Sequence, residues 1–365
     1  MRVVVITTWP TKVKDGSGTA VFFNALVNGL QQRNYDVEVI APNFDTTDYV
    51  EATLKRFLFN TDLRTDPRVR SADLVIGLDY DGYGLDPANR PPTLISAHAV
   101  YGDVIQWEVE PFRTMVQAQA FFDRVAMERS DHITIGSRYA KDRVVAVYAI
   151  PPEKITVIPH GMPTPSWLPL VEHEPRRAND HPILLAVGKM FPRKRIDVLL
   201  RAVAILRQRY SAIDLRIVGD GLDWDRLHAL ADELQLGRNV TWLGHMTQDA
   251  QFAAEWRQAD VFCHASNQET FGFVYLEAMM LGKPIVAARA GAAPEVLNGV
   301  GLLVEPGSPE AFAEGVSRFL DEPALGQDYG RRAREYAKRF THDRMLDGYV
   351  ALIEQLTTSK SVTGT

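Results

Sequence analysis

The chain has 365 residues, 46% hydrophobic and 24% charged, which is typical of a folded globular protein long enough for two domains. Its formal net charge is −6, and a split at residue 165 leaves each part at −3, with 17 basic and 20 acidic residues before the split and 23 and 26 after it. This even balance argues against nucleic acid as a partner, because phosphate-backbone binding needs a concentrated cationic face.

The sequence also limits the compartment in which the chain is expected to work. Its single cysteine, Cys263, excludes an intrachain disulfide. The first apolar run is too short for a signal peptide, and no stretch approaches the roughly 20 apolar residues of a membrane span. We therefore expect a cytoplasmic protein with no transmembrane segment.

Short apolar runs alternate with longer amphipathic segments along most of the chain. The first series predicts six strands: Val3–Thr7, Val37–Ala41, Leu74–Leu78, Leu94–Ala97, Ile133–Ile135 and Ile155–Ile158. The second series predicts six more: Ile183–Val187, Leu215–Val218, Val240–Leu243, Val261–His264, Ile285–Ala288 and Leu302–Val304. Because helical segments lie between these runs, the pattern predicts α/β architecture with two doubly wound parallel sheets.

The alternation pauses in a proline-rich and charged segment near residues 163–181. We expect an N-terminal domain at 1–165, a linker at 166–181 and a C-terminal domain at 182–340. A helix at 341–358 and a flexible tail at 359–365 follow. Ligands of doubly wound sheets bind beyond the carboxyl ends of the strands, so we expect the active site in the cleft between the domains.

The segment NQETFGFVYLEAMMLG (Asn267–Gly282) is the densest group of candidate functional residues. Glu269 precedes a glycine turn, and Glu277 follows eight residues later on a helix predicted to begin near Gly272. The free N–H groups of a helix N-terminus form an anion site, and a carboxylate beside them suits sugar hydroxyls. The alternative from the residues alone is that both carboxylates face solvent.

This segment resembles the Glu–seven residues–Glu motif of the retaining glycosyltransferases of family four, which have the GT-B fold. Other motifs of that family match in order: the glycine loop Asp15–Gly18, ISAHA (Ile95–Ala99), VIPHG (Val157–Gly161), VGKMFPRK (Val187–Lys194), IVGDG (Ile217–Gly221), WLGHM (Trp242–Met246) and GLLVEPGSPEAFA (Gly301–Ala313). The resemblance covers nearly the whole chain. It implies two Rossmann-like domains facing across a cleft, with a C-terminal helix crossing back to the first.

The resemblance also implies roles for individual donor-site residues. Glu277 would bind the ribose hydroxyls of the nucleotide, Glu269 would hold a donor-sugar hydroxyl, and Lys189 and Lys194 would clamp the diphosphate. The chain departs from the family where Lys189 replaces a commoner Arg and Arg195 replaces a usual Gly. From the residues alone, the basic cluster is either a solvated loop or a group of cations that repel one another unless an anion is near. The remaining implied donor-site residues are Gly16, Gly18, Gly221, His245, Met246, Phe271, Gly272 and Phe273.

His98 would be the catalytic histidine beside the donor sugar and the acceptor, although a histidine at a strand end can simply hydrogen-bond a loop. The predicted acceptor side consists of Asp79, Asp81, Asp103 and Trp107. An Asp-x-Asp string binds a metal–diphosphate in other glycosyltransferases, but Asp79 and Asp81 end a first-domain strand away from the lysines. We therefore expect no metal site.

The expected reaction transfers a sugar from a nucleotide diphosphate sugar to an acceptor hydroxyl, with retained configuration and without metal or cofactor. The donor would be a UDP-, GDP- or ADP-sugar, and the acceptor a sugar, a lipid-linked molecule or a small molecule. The apolar and basic run Leu54–Leu58 leaves a peripheral membrane contact open. Two alternatives remain: a nucleotide-sugar epimerase of the same fold, and a non-catalytic nucleotide-sugar-binding protein.

Overall fold

The computed structural model describes residues 1–9, 18–43, 49–173 and 180–363. These residues form two compact units. The first unit contains the described residues up to 162 together with 341–363, and the second contains those from 163 to 340. Each unit holds one parallel sheet of six strands, which confirms the predicted α/β fold class.

The first unit is built on a sheet with the strand order β2-β1-β3-β4-β5-β6. Its strands are β1 (Arg2–Ile6), β2 (Asp36–Ile40), β3 (Leu74–Leu78), β4 (Thr93–Ala97), β5 (His132–Ile135) and β6 (Ile155–Val157). β3 and β4 are buried along their whole length, as expected for parallel strands that helices cover on both faces. The strand order reverses between β1 and β3, so a crevice forms at the carboxyl ends of these two strands.

The helices of the first unit begin with α1 and end with α15, at opposite ends of the chain. They are α1 (Gly18–Gln32), α2 (Tyr49–Asp62), α3 (Pro67–Arg70), α4 (Tyr101–Val104), α5 (Phe112–Arg129), α6 (Arg138–Tyr148) and, after the second unit, α15 (His342–Thr363). α15 packs on α1, where the His342 Nε2 lies 2.9 Å from the carbonyl oxygen of Ala25. Residues from both ends of the chain therefore build this unit.

The second unit has the sheet order β12-β11-β10-β7-β8-β9. Its strands are β7 (Ile183–Val187), β8 (Asp214–Val218), β9 (Val240–Gly244), β10 (Val261–His264), β11 (Ile285–Ala288) and β12 (Leu302–Val304). Its helices are α7 (Leu168–His173), α8 (Ile196–Leu206), α9 (Trp224–Glu233), α10 (Ala250–Gln258), α11 (Phe273–Met280), α12 (Ala293–Leu297), α13 (Pro309–Asp321) and α14 (Pro323–Ala337). Here the order reverses between β7 and β10.

Two segments differ from the sequence-based description. Within the predicted linker, Trp167 is only 1% exposed and packs on Phe252 and Trp256 of α10, because a tryptophan flanked by prolines still gains by burying its ring. This part of the chain belongs to the second unit. The backbone of α15 is helical to Thr363, so most of the predicted tail at 359–365 continues that helix; residues 364 and 365 lie outside the described part.

Candidate functional site

The strand-order reversal of the second sheet brings two functional loops together. Ligands of doubly wound sheets bind beyond the carboxyl ends of the strands at such a reversal. The loop after β7 contains Lys189–Arg195, and the loop after β10 leads from His264 to Glu269. The two loops are joined by the amide of Asn267, which donates to the Arg193 carbonyl oxygen at 2.8 Å.

The backbone of Glu269 is fixed from the opposite side by the loop before α12. The amide of Ala292 donates to the Glu269 carbonyl oxygen at 2.9 Å. Gly291 has φ +57, and a Cβ there would lie 2.6 Å from the Glu269 nitrogen. Only glycine allows this close approach, so the position of Glu269 is set by main-chain packing.

The carboxylate of Glu269 uses one of its oxygens for two protein contacts. The Lys194 Nζ donates to Oε1 at 2.5 Å, and the His264 Nε2 lies 2.7 Å from the same Oε1. Among the described residues, no donor reaches Oε2. Burial by itself raises the pKa of Glu269, but the Lys194 charge and the His264 hydrogen bond outweigh it, and the pKa lies well below its usual range. Glu269 is thus an ionised acceptor with one oxygen available.

The imidazole of His264 is buried and held between aromatic rings. It meets the edge of Tyr275 at a centroid distance of 5.1 Å and stacks on Phe262 at 5.9 Å. Burial lowers the pKa of His264, so the ring is neutral at physiological pH. Because a carboxylate only accepts, the single ring proton lies on Nε2 and is donated to Glu269.

Glu277 lies on the second turn of α11 and is 5% exposed. The helix begins after Gly272, which has φ +86, and no described side chain caps its first turn. No described donor pairs with the Glu277 carboxylate, and burial raises its pKa to about 8. A buried carboxyl without a partner is costly to the fold, which is typical of a group that meets a ligand.

Replacing Glu277 with glutamine is expected to remove part of the pH dependence of stability. The pKa is 4.5 when unperturbed and about 8 in the fold. The folded state therefore keeps a proton that the unfolded state has released. Between the unfolded pKa of 4.5 and the folded pKa of about 8, Glu277 makes the free energy of unfolding fall as pH rises. The slope is up to about 1.4 kcal/mol per pH unit. Urea unfolding of the wild type and the variant at about pH 5.5 and about pH 7.5 measures the difference.

Glu314→Gln is the matched control, because Glu314 is exposed on α13. It should leave the pH dependence of the wild type unchanged. Identical slopes for the wild type and Glu277→Gln would contradict the burial of an ionisable carboxyl at this position.

The basic residues of the loop after β7 have protein partners. The Lys189 Nζ donates to the Asp220 Oδ1 at 3.0 Å, and Arg195 makes two 3.0 Å hydrogen bonds to Asp197. The Arg193 guanidinium lies 4.8 Å from the ring centroid of Phe191. The anions that lie near this basic cluster in the structure are protein carboxylates, because Asp220, Glu269 and Asp197 pair with Lys189, Lys194 and Arg195.

Arg195 occupies the position where the family usually has glycine. Its φ is +52, in the left-handed region that glycine enters without steric cost. Its two hydrogen bonds to Asp197, in the first turn of α8, offset part of that strain. Arg195 thus holds a backbone conformation that glycine adopts more readily.

Glycines let the loops after β7 and β8 approach each other. Gly219 has φ +135, and a Cβ there would lie 2.0 Å from the carbonyl oxygen of Gly188. Gly221 has φ +152, and its Cβ would lie 2.6 Å from the carbonyl oxygen of Met190. No Cβ fits at Gly219 or Gly221, so the two loops pack backbone against backbone at these positions.

The other predicted donor-site residues of this unit lie at the same edge of the sheet or beside α11. His245 and Met246 directly follow β9, with His245 exposed and Met246 half-buried. Phe271 is buried and packs against Phe273 and Phe340, at centroid distances of 5.8 and 5.6 Å. Phe271 and Phe273 therefore anchor the turn before α11 through their side chains. In the first unit, Gly18 begins α1, and Gly16 lies outside the described residues.

His98 lies at the carboxyl end of β4, at the centre of an aromatic and hydroxyl network. Its ring meets Phe22 at 4.2 Å and stacks on His160 at 4.9 Å. The Ser96 Oγ lies 3.2 Å from the His98 Nε2 and 2.7 Å from the Tyr349 hydroxyl of α15. Burial and the neighbouring His160 hold the pKa of His98 well below its usual value, so the ring is neutral.

The three acidic residues predicted on the acceptor side are 2% exposed or less. Asp79 accepts from the amides of His98 and Ala99 at 2.6 and 3.1 Å, and Asp81 accepts from the Thr8 amide at 2.7 Å. Burial raises the pKa of Asp79 to about 7 and that of Asp81 to about 6. Their hydrogen bonds make these two carboxylates supports of the loops after β1, β3 and β4.

Asp103 and Trp107 lie on the segment after β4. Asp103 accepts from the Arg143 Nε at 2.7 Å and from the Tyr139 hydroxyl at 2.9 Å. These bonds satisfy the carboxylate within the unit, so Asp103 and Arg143 form a structural ion pair. Trp107 ends a short 3-10 turn and is half-buried, and its buried indole Nε1 has no acceptor among the described residues.

In the part of the chain that the structure describes, no group of three or more His, Cys, Asp or Glu residues is arranged to hold a metal ion. None of the described helices combines the length and the apolar character that crossing a membrane requires.

Two family models match the chain, and together they cover most of it. The model described as "Glycosyl transferases group 1" matches residues 171–338, and "Glycosyltransferase Family 4" matches residues 16–165. With two Rossmann-like units and the acidic pair beside α11, these matches define a glycosyltransferase of the GT-B fold class. The chain belongs to glycosyltransferase family four.

Curated relatives are about 30% identical in sequence to this chain over part of their length. The D-inositol 3-phosphate glycosyltransferase of Actinosynnema mirum is 32% identical, over 62% of this chain and 58% of the relative. A protein of Mycolicibacterium smegmatis named GDP-mannose-dependent alpha-(1-6)-phosphatidylinositol monomannoside mannosyltransferase is 28% identical, over 66% and 64%. The chain thus spans less than two thirds of the length of these relatives.

Solved structures show the same fold at low sequence identity. Sucrose-phosphate synthase from Thermosynechococcus elongatus matches with a TM-score of 0.80 at 19% identity, over 98% of this chain and 99% of that one. WaaG, a glycosyltransferase involved in lipopolysaccharide biosynthesis, matches with a TM-score of 0.74 at 19% identity, over 96% and 99%. Anabaena HepE in complex with UDP and glucose matches with a TM-score of 0.70 at 18% identity, over 96% of this chain and 99% of that one.

Two residues that contact the predicted site were not among the predicted site residues. His264 bonds Glu269, and Asp220 bonds Lys189. His264 had the same signal as His98, a histidine at the end of a buried strand. Asp220 lies between two glycines of the IVGDG motif, which does not by itself indicate a pairing with Lys189.

Proposed function

We propose that this chain transfers a sugar from a nucleotide diphosphate sugar to an acceptor hydroxyl, with retention of anomeric configuration and without a metal ion. The observation that carries the proposal is the Glu269 carboxylate, which is ionised and buried and keeps one oxygen available beside the first turn of α11. A carboxylate of this kind accepts from a sugar hydroxyl and repels a phosphate, so it belongs to the sugar end of the donor.

The donor is proposed to extend along the carboxyl edge of the second sheet. Glu277, buried without a described partner, would accept hydrogen bonds from two ribose hydroxyls, which supply the donors that the protein does not. Lys189 and Lys194 would place positive charge at the diphosphate. Lys189 is half-exposed, and Lys194 has three ammonium donors, so it can hold Glu269 and a phosphate oxygen together.

The chemistry assigned to the protein is positioning and charge stabilisation. As the bond from the anomeric carbon to the diphosphate breaks, negative charge grows on the leaving oxygen, and preorganised cations stabilise that charge. A phosphate oxygen of the leaving diphosphate takes the acceptor proton on the same face of the sugar, which retains the configuration. The neutral His98 is proposed to lie beside the sugar and the acceptor.

A donor panel tests the proposal. UDP-glucose, GDP-mannose and ADP-glucose are added separately, and one nucleotide class should raise the thermal midpoint, because a ligand that binds only the folded state stabilises it. UDP is bound in the HepE structure and GDP-mannose is named for the M. smegmatis relative, so these two are the first arms. Transfer to simple sugars and polyols is then measured with and without EDTA.

Three results separate the alternatives. Transfer that survives EDTA, with an α-linked product from an α-linked donor, supports the proposal. A new sugar isomer formed without an acceptor would identify an epimerase. Binding of a donor with no turnover on any acceptor would favour a nucleotide-sugar-binding protein.

A further inference from the structure

We propose that His264 is a positioning residue for Glu269, and that it fixes which oxygen of this carboxylate meets the substrate. The inference rests on the proposed function for its substrate, but its geometry is independent of it. His264 is 4% exposed at the carboxyl end of β10, five residues before Glu269, and its Nε2 lies 2.7 Å from Oε1.

The ring of His264 is held by two aromatic neighbours. Tyr275 meets its edge at an interplanar angle of 84°, and Phe262 stacks on it at 17°. The backbone of β10 pairs with β11 through the His264 register with Ala287. With both backbone and ring fixed, the Nε2–H group points at Glu269 before any ligand binds, which is the condition for preorganisation.

The two oxygens of the Glu269 carboxylate have different partners. Lys194 and His264 both donate to Oε1, so this oxygen is fully used, and Oε2 remains for a hydroxyl of the sugar. Without His264, Lys194 alone would hold the carboxylate, which could then rotate and turn Oε2 away from the sugar hydroxyl.

The experiment compares His264→Leu with His264→Gln. Leucine removes the donor, whereas the glutamine Nε2 can occupy the place of the imidazole Nε2. We expect His264→Leu to lower kcat/KM about 10- to 100-fold, by analogy with supporting partners of catalytic ligands, and His264→Gln to restore it to within about threefold of the wild type. The affinity for the nucleoside diphosphate alone, measured by calorimetry, should be unchanged in both variants because it does not contact Glu269.

The matched control is His132→Leu, since His132 lies at the amino end of β5 in the first unit. A double-mutant cycle with Glu269→Ala separates positioning from a structural role. If His264 acts through Glu269, adding His264→Leu to Glu269→Ala should change turnover less than about twofold. Multiplicative losses, or a parallel fall in nucleoside diphosphate affinity, would overturn the inference.

A spectroscopic measurement tests the geometry whatever the substrate is. The ¹⁵N shifts of the labelled His264 ring should show a neutral imidazole protonated at Nε2, and Glu269→Ala should change that Nε2 shift. A ring protonated at Nδ1, or one insensitive to Glu269→Ala, would overturn the inference while leaving the proposed function standing. Absence of transfer from every donor, with the expected ring shifts, would instead count against the proposed function alone.

Discussion

Replacing Glu269 with glutamine is expected to lower kcat/KM for sugar transfer about 100-fold or more, while the fold is retained. The glutamine oxygen can still accept from Lys194 and His264 in place of Oε1. The other end of the side chain then becomes an NH₂ group, which donates where a sugar hydroxyl needs an acceptor. Loss of one preorganised polar group of this kind costs about 10²- to 10³-fold in rate in well-studied enzymes.

Alanine at the same position should add a loss of stability. The side chains of Lys194 and Glu269 are only 15% and 12% exposed, so removing the carboxylate breaks a mostly buried ion pair, at about 3 kcal/mol or more. Steady-state kinetics and urea unfolding of both variants measure the two effects separately. Glu314→Gln serves as the control on α13, and wild-type turnover in Glu269→Gln would remove this carboxylate from the reaction.

Gly219→Ala is expected to lower the free energy of unfolding by more than about 4 kcal/mol. Single substitutions cause losses of this size only through a few mechanisms, which include overpacking and backbone strain. The new Cβ would lie 2.0 Å from the backbone oxygen of Gly188, and φ is +135, so both steric overlap and backbone strain oppose it. The Gly219 amide also donates to the Gly244 carbonyl oxygen at 2.7 Å, so the loop cannot move away without losing that bond.

Two other glycines of the second unit separate the two causes. Gly299 has φ +82, and a Cβ there would meet no other atom within 4 Å, so Gly299→Ala should show the backbone strain alone, about 1–2 kcal/mol. Gly237 has open space and no positive φ, and Gly237→Ala should be close to neutral. Free energies of unfolding from urea titration rank the three variants; equal losses at Gly219 and Gly299 would show that the close backbone approach does not exist.

The alternation of apolar and amphipathic segments was enough to predict both sheets, because parallel strands buried on two faces must be apolar along their whole length. The same rule predicted Leu74–Leu78 without error.

The residues of the candidate site were proposed from sequence motifs, whereas their pairings could not be predicted in this way. Glu269 and Lys194 were found from their motifs, yet their contact joins positions 75 apart in sequence and depends on the reversal of strand order between β7 and β10. The burial of Asp79, Asp81 and Asp103 was equally hidden, because short acidic strings in loops usually face solvent. Pairwise geometry of this kind needs the topology, which a local pattern does not contain.

The first unit is closed by the last described residues of the chain. Met162 bridges to Thr341, and the Tyr349 hydroxyl of α15 lies 2.7 Å from the Ser96 Oγ and 2.9 Å from the Thr134 Oγ1. During synthesis, β4 and β5 therefore emerge from the ribosome long before the hydroxyl that satisfies their buried oxygens. The described residues 180–340 of the second unit are continuous in sequence, so its core can form before α15 is synthesised. The sheet of the first unit, although synthesised earlier, is complete only when α15 packs on it.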